Sequence, residues 1–285
     1  MIDMHMHVGR WDRTLSDFNE DRLLAKMDEL HIDRGVLLPL VSPEPFFEVV
    51  STREVVAITG RHPDRIIPFC CLDPRNNKNS ADTDFSWILE EYRQCGCKGV
   101  GEITANMPID DPRCRNLFYH CGKAGLPVLF HLTARVGGDY GLFDDLGLPR
   151  LERMLRELPA TNFIGHAAAF WAEIDGNIDE QKRNGYPKGK IEKEGRLWEL
   201  MRTYPNLHGD LSAGSGFNAI SRDQEVGIRF MEEFQDRLLF GTDICHVTQD
   251  VPIVPYFELL RKEDRLSGNA RQKITEDNFY TLLHL

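Results

Sequence analysis

The sequence predicts a single-domain α/β protein folded as a (β/α)8 TIM barrel with no flanking β-sandwich. Short apolar, β-branched runs alternate with longer amphipathic segments, which implies parallel strands joined by helices. There are eight such units of about 35 residues, and a barrel of this kind usually takes about 250 residues. The first run starts at residue 1, so we expect no accessory domain before it. An open doubly wound sheet is the alternative, but no Gly-rich phosphate loop follows the first run.

The strands are predicted from runs of Val, Ile, Leu and Phe that are too short for helices and that suit strands buried on both faces. The predicted strands cover residues 1–7, 35–41, 66–72, 98–103, 127–132, 162–166, 207–212 and 238–243. Typical examples are PVLFHL in the fifth run and RLLFGTD around the eighth.

The helices are predicted from apolar residues that recur every three or four positions, as Leu23, Met27 and Leu30 do. They cover residues 20–30, 51–60, 85–94, 115–124, 151–158, 195–204 and 224–234, with a last helix at the end of the chain. Each lies between two predicted strands, as the barrel requires.

One insertion interrupts this rhythm after the sixth predicted strand. Residues 171–196 are rich in charge and glycine, and a long loop after a barrel strand lies over the catalytic face. The segment is therefore predicted to be either a lid over the site, or a solvent-exposed loop or subunit contact.

Composition excludes some partners. The formal charge of −11 and the pI near 5.4 argue against a nucleic-acid ligand, whose phosphates need a basic surface. We find no apolar run of about 18 residues, so no membrane span is expected. The seven scattered cysteines and the lack of a targeting peptide indicate reduced thiols in the cytoplasm. The expected partner is a small-molecule substrate.

Metal-competent side chains lie at the carboxyl ends of five predicted strands. In the first strand, His5 and His7 share one face because alternate residues of a strand point the same way. The others are Glu102, His131, His166 and Asp243. Residues from separate strands converge at this end of a barrel, and such polar groups need partners in a buried interior. Shared coordination of a cation accounts for all of them together.

The motifs IDMHMH, GCKGVGEI, VLFHL, FIGHAAAF and FGTDICH occur in this order along the chain. Together they resemble the amidohydrolase superfamily, in its amidohydrolase-related (amidohydrolase 2) branch, which includes aminocarboxymuconate-semialdehyde decarboxylase. The resemblance covers essentially the whole chain, and the absence of a flanking sheet domain suits this branch. It implies a distorted barrel, a divalent metal, and a homodimer as one possible assembly, since dimers are common among relatives.

The resemblance also implies roles for the residues. His5, His7 and Asp243 would bind the first ion, and His131 would be a further ligand. Asp243 and His166 are the implied catalytic residues, with His166 either a ligand of a second ion or an acid–base group. Zinc is the expected ion and manganese the alternative, because the ligands offer nitrogen and oxygen but no thiolate.

Glu102 decides between one ion and two. Many binuclear members bridge two ions with a carboxylated lysine on the fourth strand, where Lys98 is present. However, four residues of strand span about 13 Å, so Lys98 and Glu102 cannot both reach the metal. Lys98 belongs to the opposite end of the barrel, and Glu102 is the predicted bridge. The alternative is that Glu102 only forms a hydrogen bond beside the site.

Three functions are therefore considered. The favoured prediction is a metal-dependent hydrolase that cleaves a C–N or C–O bond of an amide, lactone or ester through a metal-activated water. The alternative is a one-metal decarboxylase or hydratase of a small aromatic or unsaturated carboxylic acid. The third is a barrel that binds a ligand without turnover. The predicted substrate contacts are Arg135, Trp171 and His246.

Overall fold

The computed structural model describes residues 1–10, 17–44, 48 and 50–285. Within these residues, eight strands form the barrel and one further short strand lies outside it. The strands are β1 Ile2–Met6, β2 Arg34–Leu37, β3 Ile66–Pro68, β4 Val100–Ile103, β5 Val128–Thr133, β6 Leu142–Phe143, β7 Phe163–His166, β8 Leu207–Asp210 and β9 Leu238–Leu239. All eight barrel strands fall within predicted runs or one to two residues of them, and β6 is additional.

All strand pairs are parallel, in the orders β1-β2-β3 and β4-β5-β7-β8-β9. Two parallel bridges join these arcs, Cys70 with Val100 and Met6 with Ile244. The barrel is therefore closed, which confirms the predicted fold. The strand β6 pairs with β5, and its Phe143 also bridges Pro108, so β6 belongs to the loop that follows β5.

Helices separate the strands along the chain. They are α1 Glu20–Glu29, α2 Thr52–Arg61, α3 Ser86–Gln94, α4 Pro112–Ala124, α5 Pro149–Glu157, α6 Ala168–Trp171, α7 Arg196–Thr203, α8 Ala213–Ser221, α9 Gln224–Glu233, α10 Ile253–Lys262, α11 Gly268–Gln272 and α12 Asn278–Leu283. The part of the chain that the structure describes contains no helix long and apolar enough to cross a membrane.

Local sequence signals set several helix ends. Ser51 accepts from the Glu54 backbone N–H while the Glu54 carboxylate accepts from the Ser51 N–H, so two otherwise unsatisfied donors of α2 are paired. Asp111 caps α4 just before a proline, whose fixed φ suits the first helical position. At the other end of α4, Gly125 takes a left-handed conformation with φ 69°, which glycine adopts without strain.

The barrel interior is apolar beneath its catalytic end. Leu129 and Ile164 belong to one buried cluster with Met4 and Leu239. They lie two residues before His131 and His166, so strand alternation directs them into the same interior one layer lower. Side chains of α12 join this cluster and close the bottom of the barrel. A second, larger cluster fills the space between strands and helices.

Candidate metal centre

The six predicted ligands lie at the carboxyl-terminal end of the barrel. They are His5 in β1, His7 just after β1, Glu102 in β4, His131 in β5, His166 at the end of β7 and Asp243 after β9. Among the described residues, two groups bring their ligand atoms within 4.8 Å of one another, and both contain His5. The groups are His5, His7 and Asp243, and His5, Glu102 and His166.

The imidazole rings of His5 and His7 point their Nε2 atoms at each other. His5 Nδ1 lies 2.7 Å from an oxygen of Asp210, and His7 Nδ1 lies 3.1 Å from the Leu38 carbonyl oxygen. Both partners only accept, so each neutral ring carries its proton on Nδ1 and has a lone pair on Nε2. These two Nε2 atoms are 2.8 Å apart. Two lone pairs at this distance need a proton or a cation between them.

Two carboxylate oxygens complete the cluster. Glu102 Oε2 lies 3.6 Å from the Nε2 atom of both histidines, and Asp243 Oδ1 lies 3.5 Å from both. Ligand atoms about 2.0–2.2 Å from one ion lie about 2.8–3.6 Å from each other in tetrahedral or octahedral geometry. The four atoms therefore fit a divalent cation of the kind that nitrogen and oxygen ligands hold.

The electrostatics of the pair support this fit. Burial by itself would lower the pKa of His5, but the carboxylates of Asp243 and Glu102 raise it well above its ordinary value. Burial, together with the charge on His5, lowers the pKa of His7 to about 4. The pair thus accepts one positive charge, not two, and a cation would take the place of the shared proton.

The other oxygen of Glu102 faces a second pair of histidines. Glu102 Oε1 lies 2.8 Å from His131 Nδ1 and 3.8 Å from His166 Nε2. Burial would raise the pKa of Glu102, but the charge on His5 and the hydrogen bond from His131 hold it well below its usual range. Glu102 is therefore an ionised carboxylate between two histidine pairs, where a bridging ligand would be placed.

Asp210 and Ser212 are site residues that the sequence did not single out. One oxygen of the fully buried Asp210 lies 2.7 Å from His5 Nδ1 and 3.1 Å from His166 Nδ1, and it accepts from Ser212 Oγ at 2.7 Å. Asp210 thus orients one histidine of each pair. The signal for it was a carboxylate at the end of the seventh barrel strand, in the sequence HGDLS.

Asp3 lies beneath the centre and joins the first and last barrel strands. It accepts from the backbone N–H of His5 at 2.9 Å and of Thr242 at 3.0 Å. Burial raises its pKa to about 7 in spite of these hydrogen bonds. Its position fixes the backbone that carries His5.

Lys98 lies at the opposite end of the barrel. Its Nζ donates to the carbonyl oxygen of His284 at 3.2 Å, close to the end of the chain. A bridge formed by this lysine is therefore ruled out by position, as its distance along the strand from Glu102 predicts.

The predicted substrate contacts have different environments. Arg135 is exposed on the loop after β5, and His246 is half-buried on the loop after β9, with Nδ1 3.3 Å from Thr248 Oγ1. Both loops border the catalytic face. Trp171 is buried, and its indole N–H donates to the Asp210 carbonyl oxygen at 2.8 Å. Trp171 thus contacts the Asp210 backbone from within the core.

The family model described as Amidohydrolase matches residues 2–285. The chain belongs to the amidohydrolase family. This membership confirms the resemblance carried by the strand-end motifs and indicates an enzyme. No curated protein sequence matches the chain.

Several solved structures have the same fold, and each aligns with this chain over nearly the whole length of both proteins. An uncharacterized TIM-barrel protein of Bordetella bronchiseptica has a TM-score of 0.68 at 16% identity, covering 100% of this chain and 99% of that chain. A probable 2-pyrone-4,6-dicarboxylic acid hydrolase of Acinetobacter baumannii has a TM-score of 0.58 at 15% identity, with coverage of 100% and 99%. A dihydroxybenzoic acid decarboxylase of Polaromonas, with bound manganese and 2-nitroresorcinol, has a TM-score of 0.57 at 14% identity, with coverage of 100% and 96%.

Proposed function

We propose that the chain is a metal-dependent lyase that releases carbon dioxide from a small aromatic or unsaturated carboxylic acid. The observation that carries metal dependence is the convergence of two imidazole lone pairs and two carboxylate oxygens on one point. Similar structures described as decarboxylases, one with bound manganese, support this reaction better than the hydrolysis that the sequence favoured. Zinc and manganese both suit the ligands, which are His5, His7, Glu102 and Asp243.

A divalent cation bound there supplies a positive charge that holds and polarises the substrate carboxylate. Asp243 is the most exposed of the four ligands, with 29% of its side chain accessible. After taking up a proton from solvent, the Asp243 carboxyl group would donate that proton to the substrate carbon. The bond between that carbon and the carboxylate breaks, its electron pair stays on the carbon, the carbon takes the proton, and carbon dioxide leaves.

In this proposal, His166 is the second acid–base group. Its Nδ1 is held by Asp210 at 3.1 Å and lies 3.0 Å from Ser212 Oγ, so its Nε2 faces the centre. A histidine fixed in one tautomer in this way can accept a proton from a substrate hydroxyl through Nε2.

The test is carbon dioxide release by the metal-loaded protein from 2,6-dihydroxybenzoate and 5-carboxyvanillate. We expect release by the wild type and a loss of about 10²–10⁴-fold in kcat for Asp243→Asn. The matched control is Asp236→Asn, since Asp236 is exposed and pairs with Lys273 on the surface. A fully metal-loaded wild type that releases no carbon dioxide from a broad panel of such acids would contradict the proposal.

A second function is favoured by the orientation of Glu102. One of its oxygens faces His5 and His7 and the other faces His131 and His166, which is the arrangement of a carboxylate that bridges two ions. Two ions suit hydrolysis of an amide, lactone or ester. Three results together would support this function over the lyase. Elemental analysis would find two ions per chain, Glu102→Gln would lose one of them, and the protein would hydrolyse a lactone.

A further inference from the structure

One aromatic ring stacks against the centre from the loop after β5. The ring centroid of Tyr140 lies 4.4 Å from that of His131, with the planes tilted by 45°. The backbone then passes tightly over the histidine, since a Cβ on Gly141 would lie 2.6 Å from His131 Cδ2. Tyr140 therefore presents a planar ring beside the ligands.

A second ring approaches from the segment 171–196. Tyr186 packs on Gly214, where a Cβ would lie 3.2 Å from its Cζ and 3.3 Å from its hydroxyl. Gly214 follows Ser212 by two residues, and Ser212 contacts His166. Burial and the charge of Asp243 raise the pKa of Tyr186. The residue is still 58% exposed, so one part of the ring contacts Gly214 and the rest is open to a ligand.

Hydrogen bonds hold the two ring-bearing segments together. Asn184 donates to Asp139 Oδ2 at 2.8 Å and accepts from the Ala134 backbone N–H at 3.1 Å. Asp139 directly precedes Tyr140, and its other carboxylate oxygen accepts the Tyr140 backbone N–H. The two segments that carry the rings are therefore joined before a ligand arrives, which reduces the entropy lost on binding. The use of the segment 171–196 as a lid stays a prediction.

A buried arginine adds a second anchor. Arg183 donates to the Asp144 carbonyl oxygen at 2.7 Å and lies 2.9 Å from a carboxylate oxygen of Glu173. Arg183 belongs to the segment 171–196, and Asp144 directly follows β6 in the loop that carries Tyr140. The carboxylates of Glu102 and Asp243 repel the anionic part of a substrate unless a cation is bound, so uncharged rings suit the remainder of the substrate.

We propose that Tyr140 and Tyr186 are specificity-determining residues that contact the ring of the substrate and select a planar acid over a saturated ring acid of the same size. This inference rests on the proposed function, since it assumes that the cation holds the carboxylate. Planar rings stack on tyrosine, whereas a puckered saturated ring makes fewer contacts with a flat face.

The test compares two unreactive acids with the same carboxylate and number of carbons, benzoate and cyclohexanecarboxylate. Binding to the metal-loaded protein is measured by calorimetry or NMR titration. We expect Tyr186→Leu to weaken benzoate binding about three- to tenfold and to leave cyclohexanecarboxylate almost unchanged. Tyr186→Phe keeps the ring and should keep the preference. Tyr119→Leu is the matched control, because Tyr119 is an exposed tyrosine on the outer helix α4.

Tyr140→Leu and Tyr140→Phe repeat the comparison at the more buried ring. Because Tyr140 packs on His131, Tyr140→Leu is compared only if its melting temperature and metal content match those of the wild type. If they do not match, the test rests on Tyr186→Leu alone. An unchanged ratio of the two dissociation constants in Tyr186→Leu overturns the inference. A wild type that prefers benzoate yet releases no carbon dioxide refutes the proposed function and leaves the inference standing.

Discussion

Replacement of Asp210 by asparagine should weaken metal binding although Asp210 is not itself a ligand. The carboxylate accepts the Nδ1 proton of His5 at 2.7 Å and is fully buried. It thereby holds the ring in the tautomer whose Nε2 lone pair faces the centre, and its negative charge makes that nitrogen a stronger ligand. An asparagine of the same shape keeps the packing, but it carries no charge and its amide nitrogen cannot accept.

The size of the effect follows from these contacts. The loss of a hydrogen-bonding carboxylate behind a ligating histidine typically reduces metal affinity by about 10–100-fold, which is about 1.4–2.8 kcal/mol. We expect the upper part of this range, because the same oxygen of Asp210 also lies 3.1 Å from His166 Nδ1 and accepts from Ser212. Three polar groups lose their shared, negatively charged acceptor in one substitution.

The assay is competition with a chelator of known affinity, for zinc and for manganese, together with the melting temperature of the metal-free protein. The matched control is Asp144→Asn, a buried carboxylate outside the centre that accepts backbone N–H groups of Arg150 and Leu151. The control should lower stability and leave metal affinity unchanged. Less than a threefold change in the affinity of Asp210→Asn would refute the reasoning, as would an equal change in the control.

Three further predictions concern other parts of the molecule. Lys98→Ala should leave metal stoichiometry and affinity unchanged by elemental analysis, because Lys98 bonds to the chain end at the opposite side of the barrel; loss of an ion would contradict the assignment of Glu102. Gly141→Ala should reduce metal affinity and activity, because its Cβ would lie 2.6 Å from His131 Cδ2 and its φ is 101°; a normal chelator titration would count against this packing. Burial and the charge of Arg237 lower the pKa of His208 to about 4. In the unfolded chain the same histidine binds a proton near pH 6.5, so between these pH values only the unfolded chain is protonated there. Stability should therefore fall as the pH falls from about 6.5 towards 4, and His208→Leu should lose about 2 kcal/mol less than the wild type between about pH 7 and pH 5 in urea unfolding. Equal losses in the two proteins would show that another group carries the acid sensitivity.

Much of the fold and part of the centre follow from local sequence. Parallel strands buried on both faces must be short apolar runs, and a helix must separate each pair, so the spacing of the runs indicates a barrel. Side chains alternate along a strand, and the carboxyl ends of all strands meet at one face. The positions of His5, His7 and Asp243 could therefore be predicted together, because each lies in or shortly after its own strand.

Only the tertiary structure decided which polar groups touch. Asp210 contacts His5 across 205 positions of chain, and nothing local distinguishes it from any other carboxylate after a strand. Trp171 follows a site histidine along the chain, yet its indole lies in the core behind Asp210 because the chain turns into α6. Tyr140 and Tyr186 lie in loops without a repeating pattern, so their approach to the centre depends on the contacts made by Asn184 and Arg183. Strand periodicity is a local property of the chain, whereas contacts between loops depend on how distant segments pack.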